Sequence, residues 1–176
     1  NVDFDPNTGT YTLTAVGSND TYVHKMSQCI AFPSPVNTTP IPNLTICQNQ
    51  TTTLTTTATG TVNWFATSTS TAVLGTGLSF VTPTLSAGSF TYYASTTNTC
   101  GLASVRTPFT ITVNAMPSIT VNSGSICAGN SFTINPSGAS TYTFSGGSIV
   151  SPTLNTSYTV TGTGVNGCVN SIGSVS

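Results

Sequence analysis

Apolar residues come in short pieces along this chain, separated by clusters of Gly, Pro, Ser, Thr and Asn, with no sign of the helical period. Residues 10–16 (TYTLTAV) alternate strictly, with Tyr11, Leu13 and Ala15 on one face and threonines on the other, the pattern of a half-buried strand. Strand-like runs follow at 61–66, 78–81, 89–95 and 109–113, and again at 119–121, 131–134, 141–144, 148–150 and 158–161. β-branched Thr, Val and Ile dominate them, and turn clusters such as Gly75-Thr-Gly77 and Ser86-Ala-Gly88 divide them. Short, turn-bounded strands without helical stretches predict an all-β fold of sandwich type.

The same landmarks occur twice. With Cys47 laid on Cys127, Leu54 meets Ile134 seven residues on, and Trp64 meets Phe144 seventeen residues on. Val81-Thr-Pro-Thr-Leu85 returns as Val150-Ser-Pro-Thr-Leu154, then Tyr92 as Tyr158, and Cys100 and Cys168 close the copies. So many ordered matches define an internal repeat, and arrays have structural uses. The expected organisation is a strand-bearing extension at 1–36, one domain at 37–116 (unit 1) and a second at 117–176 (unit 2). Trp64, Phe144, Tyr92 and Tyr158 are the expected core anchors. The prolines between Phe32 and Pro42 predict a connector outside any sheet. After Cys100 a final strand, 109–113, is evident, whereas only eight residues follow Cys168. Unit 2 is therefore expected to lack most of its last strand, leaving an open edge and a groove over the core.

Charge narrows the function. Of 176 residues only 3% are charged, with two Lys+Arg and three Asp+Glu, and Arg106 is the one charge beyond Lys25. Neither a basic stripe for nucleic acid nor a polybasic patch for lipid can be built from these. No apolar run approaches the ~20 residues of a membrane helix, so direct membrane insertion is not expected. Weakly charged surfaces repel one another little and favour association.

Five cysteines in such a chain point to an oxidising compartment. The repeat proposes the pairs Cys47–Cys100 and Cys127–Cys168, each closing a loop of about 40–50 residues. Cys29 is left over, either because its mate lies upstream or because it links to another chain.

Catalytic chemistry finds little material. His24 is the only histidine, the three aspartates Asp3, Asp5 and Asp20 all lie in the extension, and there is no Glu. A Ser–His–Asp triad or a carboxylate pair has nothing to draw on in either unit. No CxxC or paired histidines offer a zinc site. The protein is expected not to be an enzyme and to need no cofactor. Trp64, Tyr92 and Tyr93 could form a sugar platform only if strand alternation left them outside the core.

Several of these stretches resemble the Ig-like repeats (CHU_C-associated and PKD-like) of secreted and surface proteins of Bacteroidota. The carriers are Thr45-Ile-Cys47, Ser125-Ile-Cys-Ala-Gly129, Trp64-Phe65, Pro83-Thr-Leu85, Thr91-Tyr-Tyr93, Arg106-Thr107, Ser157-Tyr-Thr-Val-Thr161 and Asn166-Gly-Cys168. The resemblance implies tandem Ig-like sandwiches, export to the cell surface and no catalysis by the repeat itself. Together these readings predict a structural segment of an extracellular filament or adhesin stalk, its partner another copy of itself joined head to tail. The strand at 10–16 is the candidate donor to an incomplete unit 2, with Cys29 a possible intermolecular lock. The competing expectations are a module binding surface glycans and a passive spacer from a longer repeat protein.

Overall fold

The computed structural model describes residues 29–175. The candidate donor strand with Tyr11, Leu13 and Ala15, and most of the extension, lie outside the described residues.

Unit 1 is built from β1 (Val36–Asn37), a 3-10 turn (Ile41–Leu44), β2 (Thr45–Cys47), β3 (Thr53–Thr57), β4 (Thr61–Phe65), β5 (Gly75–Thr76), β6 (Ser79–Val81), β7 (Gly88–Thr97) and β8 (Thr107–Asn114). One sheet has the order β1-β3-β6; the facing sheet has the order β2-β8-β7-β4-β5. All pairings are antiparallel except β2 with β8, which run parallel from Thr45↔Thr112 to Cys47↔Asn114. Period-two alternation sends Phe109, Ile111 and Val113 of β8 inward, to meet Leu54, Val62, Trp64, Leu85, Tyr92 and Ala94. Trp64 is fully buried, stacks on Phe80 at 5.5 Å between centroids, tilts against Phe109 at 4.7 Å and donates its indole N–H to Gly77 O at 2.9 Å. That bond satisfies the one polar atom the ring carries into the core. On the outer face, Arg106 lies 3.6 Å above the Phe65 ring and donates to the carbonyls of Thr67 and Ser70.

The proline segment departs from expectation. It is no free connector: Val36 and Asn37 form the edge strand β1 against Thr57 and Thr56, straddling the expected 36/37 boundary. Prolines lack the N–H but keep their carbonyls, and unit 1's hydroxyls find them. Thr96 Oγ1 donates to Pro33 O, Thr107 Oγ1 to Pro35 O and Thr56 Oγ1 to Val36 O at 2.6–3.0 Å.

Unit 2 comprises β9 (Phe132–Thr133), β10 (Thr141–Phe144), β11 (Ile149–Val150), β12 (Ser157–Thr163) and β13 (Val169–Val175). One sheet is β10-β12-β13 and the other only β9-β11, extended by a bridge between Thr120 and Ser137. Register superposes the copies: Trp64 stands opposite Ala94 as Phe144 stands opposite Val160, and Tyr92 and Tyr158 follow in step.

Unit 2 has more of its last strand than expected, reaching the places of Thr107–Thr110 in β8. β13 pairs with β12 at seven positions, from Ser157↔Val175 to Thr163↔Val169. In unit 1 the connection 98–106 separates Cys100's turn from β8, whereas β13 starts directly after Cys168. Equal distances from the cysteine therefore do not mean equal places in the fold.

The core of unit 2 is thin all the same. Only Ile134, Val150 and Val160 form its buried cluster, with Phe144 and Tyr158 half-buried beside them. Ile172 shares Val160's face by direct pairing, yet is 37% exposed.

Candidate functional site

The units meet at a covalent joint. Cys47 ends β2, beside Asn114 at the far end of β8, and is bonded to Cys168, which enters β13 from the β12–β13 turn; their Cα atoms are 5.6 Å apart. Cys29 is bonded to Cys100 in the β7–β8 connection, with Cα atoms 6.3 Å apart. Cys127 is exposed and free. The expected pairs Cys47–Cys100 and Cys127–Cys168 are thus replaced by Cys47–Cys168 and Cys29–Cys100, and the odd cysteine is Cys127 rather than Cys29.

Strand direction explains the exchange. Cys47 sits at the Asn114 end of β8 and Cys100 near its Thr107 end. Seven steps of ~3.3 Å separate those ends by roughly 23 Å. A disulfide needs Cα atoms within about 7 Å. In unit 2, Cys168 adjoins Val169, opposite Thr163, while the turn of Cys127 bonds to Pro152 on the approach to Ser157, the other end of β12. Each unit therefore carries one cysteine at each end of its sandwich, and neither pair can close within a unit.

The two near-end cysteines share a setting. Asn98 lies two residues before Cys100 and Asn166 two before Cys168. Asn98 Oδ1 accepts from Cys100 N at 3.0 Å, and Asn166 Oδ1 accepts from Cys168 N at 3.1 Å. Each amide then donates to a carbonyl of the incoming segment: Asn98 Nδ2 to Ile30 O at 2.6 Å, and Asn166 Nδ2 to Ala115 O at 2.9 Å. Asn170 Nδ2 adds a bond to Pro117 O at 3.0 Å in the second joint. One side chain thus orients the sulfur's backbone and holds the chain that delivers its partner. Sequence reading noticed Asn166-Gly-Cys168 but missed its copy Asn98-Thr-Cys100; the shared Asn-x-Cys spacing was the available signal. Gly162 shapes the same region, since a Cβ there would lie 2.7 Å from both Ala139 Cβ and Ile119 Cδ1. Ile119, 7% exposed, is the first buried residue after β8.

Among the described residues no cluster of His, Cys, Asp and Glu could hold a metal, and no helix is long and apolar enough to cross a membrane. His24 and the three aspartates lie outside the described residues. Trp64 is fully buried and Tyr92 is 8% exposed, so the sugar platform does not form; Tyr93 lies half-buried on the opposite sheet face, paired with Phe65's position. Burial pushes the Tyr92 phenol above the ordinary tyrosine range.

Two-layer sandwiches joined in tandem, with a parallel β2–β8 edge in the first, are Ig-like architecture. Residues 33–114, a little under half the chain, match the family described as Ig-like domain, CHU_C associated. Domains of this kind are typical of extracellular surface proteins and are typically non-catalytic. No curated protein sequence is significantly similar to the chain. Among solved structures, the fibronectin(III)-like modules of Clostridium thermocellum CbhA align at a TM-score of 0.40 and 8% identity, over 80% of this chain and 92% of theirs. The three N-terminal domains of the highly immunogenic outer capsid protein of bacteriophage RB49 align at 0.35 and 16%, over 82% and 58%. A structure concerned with Dscam isoform specificity aligns at 0.29 and 12%, over 84% and 46%.

Proposed function

We propose that this chain is a load-bearing segment of an extracellular stalk or filament, in which Ig-like units follow one another through covalent joints. The observation that carries this reading is the Cys47–Cys168 bond, which ties the far end of unit 1 to the near end of unit 2 across a separation of 121 residues. A disulfide inside a domain protects that domain; one between domains fixes how they sit on each other. Inter-domain interfaces otherwise leave relative motion as the default. Near-absence of charge fits a packed surface layer or fibre better than a freely diffusing protein. Head-to-tail strand donation is not part of this proposal: β13 already covers part of the edge to which residues 10–16 were expected to add, and that segment lies outside the described residues. Extension through joints takes its place in the proposal.

Small-angle scattering of the oxidised chain and of a Cys47→Ser/Cys168→Ser variant tests the reading. A stalk segment gives a narrow distribution of end-to-end distances that broadens in the variant. Identical distributions would remove the joint's mechanical role and with it this function.

A further inference from the structure

We infer that Cys127 is the open half of a further joint, and that its partner is the cysteine of an Asn-x-Cys turn on another Ig-like unit. The inference deepens the stalk reading and takes its biological setting from it. It does not rest on a free thiol alone, because the chain contains its own comparison. Thr45-Ile46-Cys47 and Ser125-Ile126-Cys127 are the same place in the two copies, and in unit 1 that cysteine is bonded to the turn of the unit that follows. The near-end cysteines, Cys100 and Cys168, are both bonded to segments that precede their own unit. Every joint in the chain thus has one polarity, and Cys127 is the far-end position left over.

The surroundings of Cys127 differ from those of Cys47 in the manner of an open joint. Leu85 is 4% exposed in unit 1, where it packs in the cluster that contains Val113 and borders Ile46. Its copy Leu154 is 81% exposed and lines a shallow cleft with Ile126, Pro152 and Asn155, beside Cys127.

The disulfide inventory also decides what kind of unit can dock. In a second copy of this chain both Asn-x-Cys cysteines are already spent, on Cys29 and Cys47. The occupant is therefore a different unit, one whose turn cysteine is unpaired. Two thiols become one disulfide with loss of two protons and two electrons, which a small-molecule or protein disulfide takes up as it is reduced to two thiols.

The test has two arms. In the native chain, Cys127 should be alkylated without denaturant, and a glutathione redox buffer should leave the chain monomeric. A dominant Cys127–Cys127 dimer, or a Cys127 that resists alkylation, overturns the inference. In the second arm the chain is extended beyond Ser176 by a copy either of residues 112–176 or of residues 33–114, the latter offering Cys100 without Cys29. Mass-spectrometric mapping of unreduced digests should show Cys127 bonded to the appended turn cysteine, with a tenfold or greater drop when the Asn of that turn is replaced by Ala. A Cys127 that remains free in both extended chains overturns the inference. The map reads connectivity alone: an unlinked Cys127 leaves the stalk reading standing, whereas a linked Cys127 with unrestricted scattering keeps the joint and removes the stalk.

Discussion

Unit 1 and unit 2 repeat one plan with unequal means. Unit 1 closes two sheets over a cluster of nine buried side chains; unit 2 sets three strands against a pair of two-residue strands over a cluster of three. Where unit 1 places Trp64, with an N–H to anchor and two aromatic neighbours, unit 2 places a half-buried Phe144. Buried apolar area is the main source of stability, so the second unit is the poorer one by itself. Its cross-link reaches into unit 1. The lesson is that a thin domain can be held by its neighbour's frame, provided the joint between them is covalent.

Breaking the joint is accordingly the largest effect we predict. A loop of 121 residues corresponds to about 4–5 kcal/mol of denatured-state entropy in the chain-entropy model. Urea unfolding followed by far-ultraviolet circular dichroism should show one transition in the oxidised chain and two in Cys47→Ser/Cys168→Ser, with unit 2 melting first. Two transitions already present in the oxidised chain would mean that the units never shared stability.

The next effect compares the core anchors. Trp64→Ala should cost unit 1 about 3–5 kcal/mol, the range for deleting a buried aromatic. Phe144→Ala should cost unit 2 about half as much, because part of that ring already faces solvent. Trp64 is the sole tryptophan, so its fluorescence reports unit 1 alone and can follow that unit in the Phe144 variant. Equal losses would contradict the difference in core quality.

Much of this comparison was readable in the sequence. Alternation and turn clusters located β4, β6, β7, β8, β10, β11 and β12, and the spacing from Cys47 to Trp64 matched that from Cys127 to Phe144, which the strand register reproduces. The joints were not readable in the same way. A repeat alignment tells which residues correspond, but not which ends of successive sandwiches adjoin. Pairing Cys47 with Cys100 required ignoring that β2 runs parallel to β8 and delivers Cys47 to the wrong end. β13 was missed because Val-Asn-Ser-Ile-Gly-Ser-Val has weak alternation and its residues 169–173 are exposed, so burial left little imprint on it. The edge strand at Val36 was hidden by prolines, whose carbonyls still accept from Thr96 and Thr107, while Val36's own accepts from Thr56.

A smaller effect would sharpen the likeness of the two joints. Asn166→Ala removes two hydrogen bonds from its Asn-x-Cys turn and Asn98→Ala removes three, the third accepted from Leu102 N. Roughly 1–2 kcal/mol per site is the expected loss for partly exposed bonds of this kind. Reduction of the adjacent disulfide by dithiothreitol should speed up in both variants, whereas the other disulfide in each should reduce at its usual rate. Acceleration of both disulfides by one substitution would mean general loosening, not local clamping.

The smallest effect at neutral pH concerns Tyr92, whose phenol is held above the ordinary range by burial. The unfolded chain gives up that proton near pH 10, while the folded unit retains it to higher pH. Above the unfolded value the folded state therefore binds more protons, and stability falls as pH rises. The contribution is fully present below about pH 10 and is lost as the pH passes through the folded value. Tyr92→Phe cannot ionise, so it should differ little from the native chain at pH 7 and lose less stability between about pH 9 and 11. Following Trp64 fluorescence in urea at each pH isolates unit 1, because the only tryptophan lies in that core. Parallel alkaline losses in the two proteins would show that the phenol is not what limits unit 1 at high pH, and would move the cause to groups outside its core.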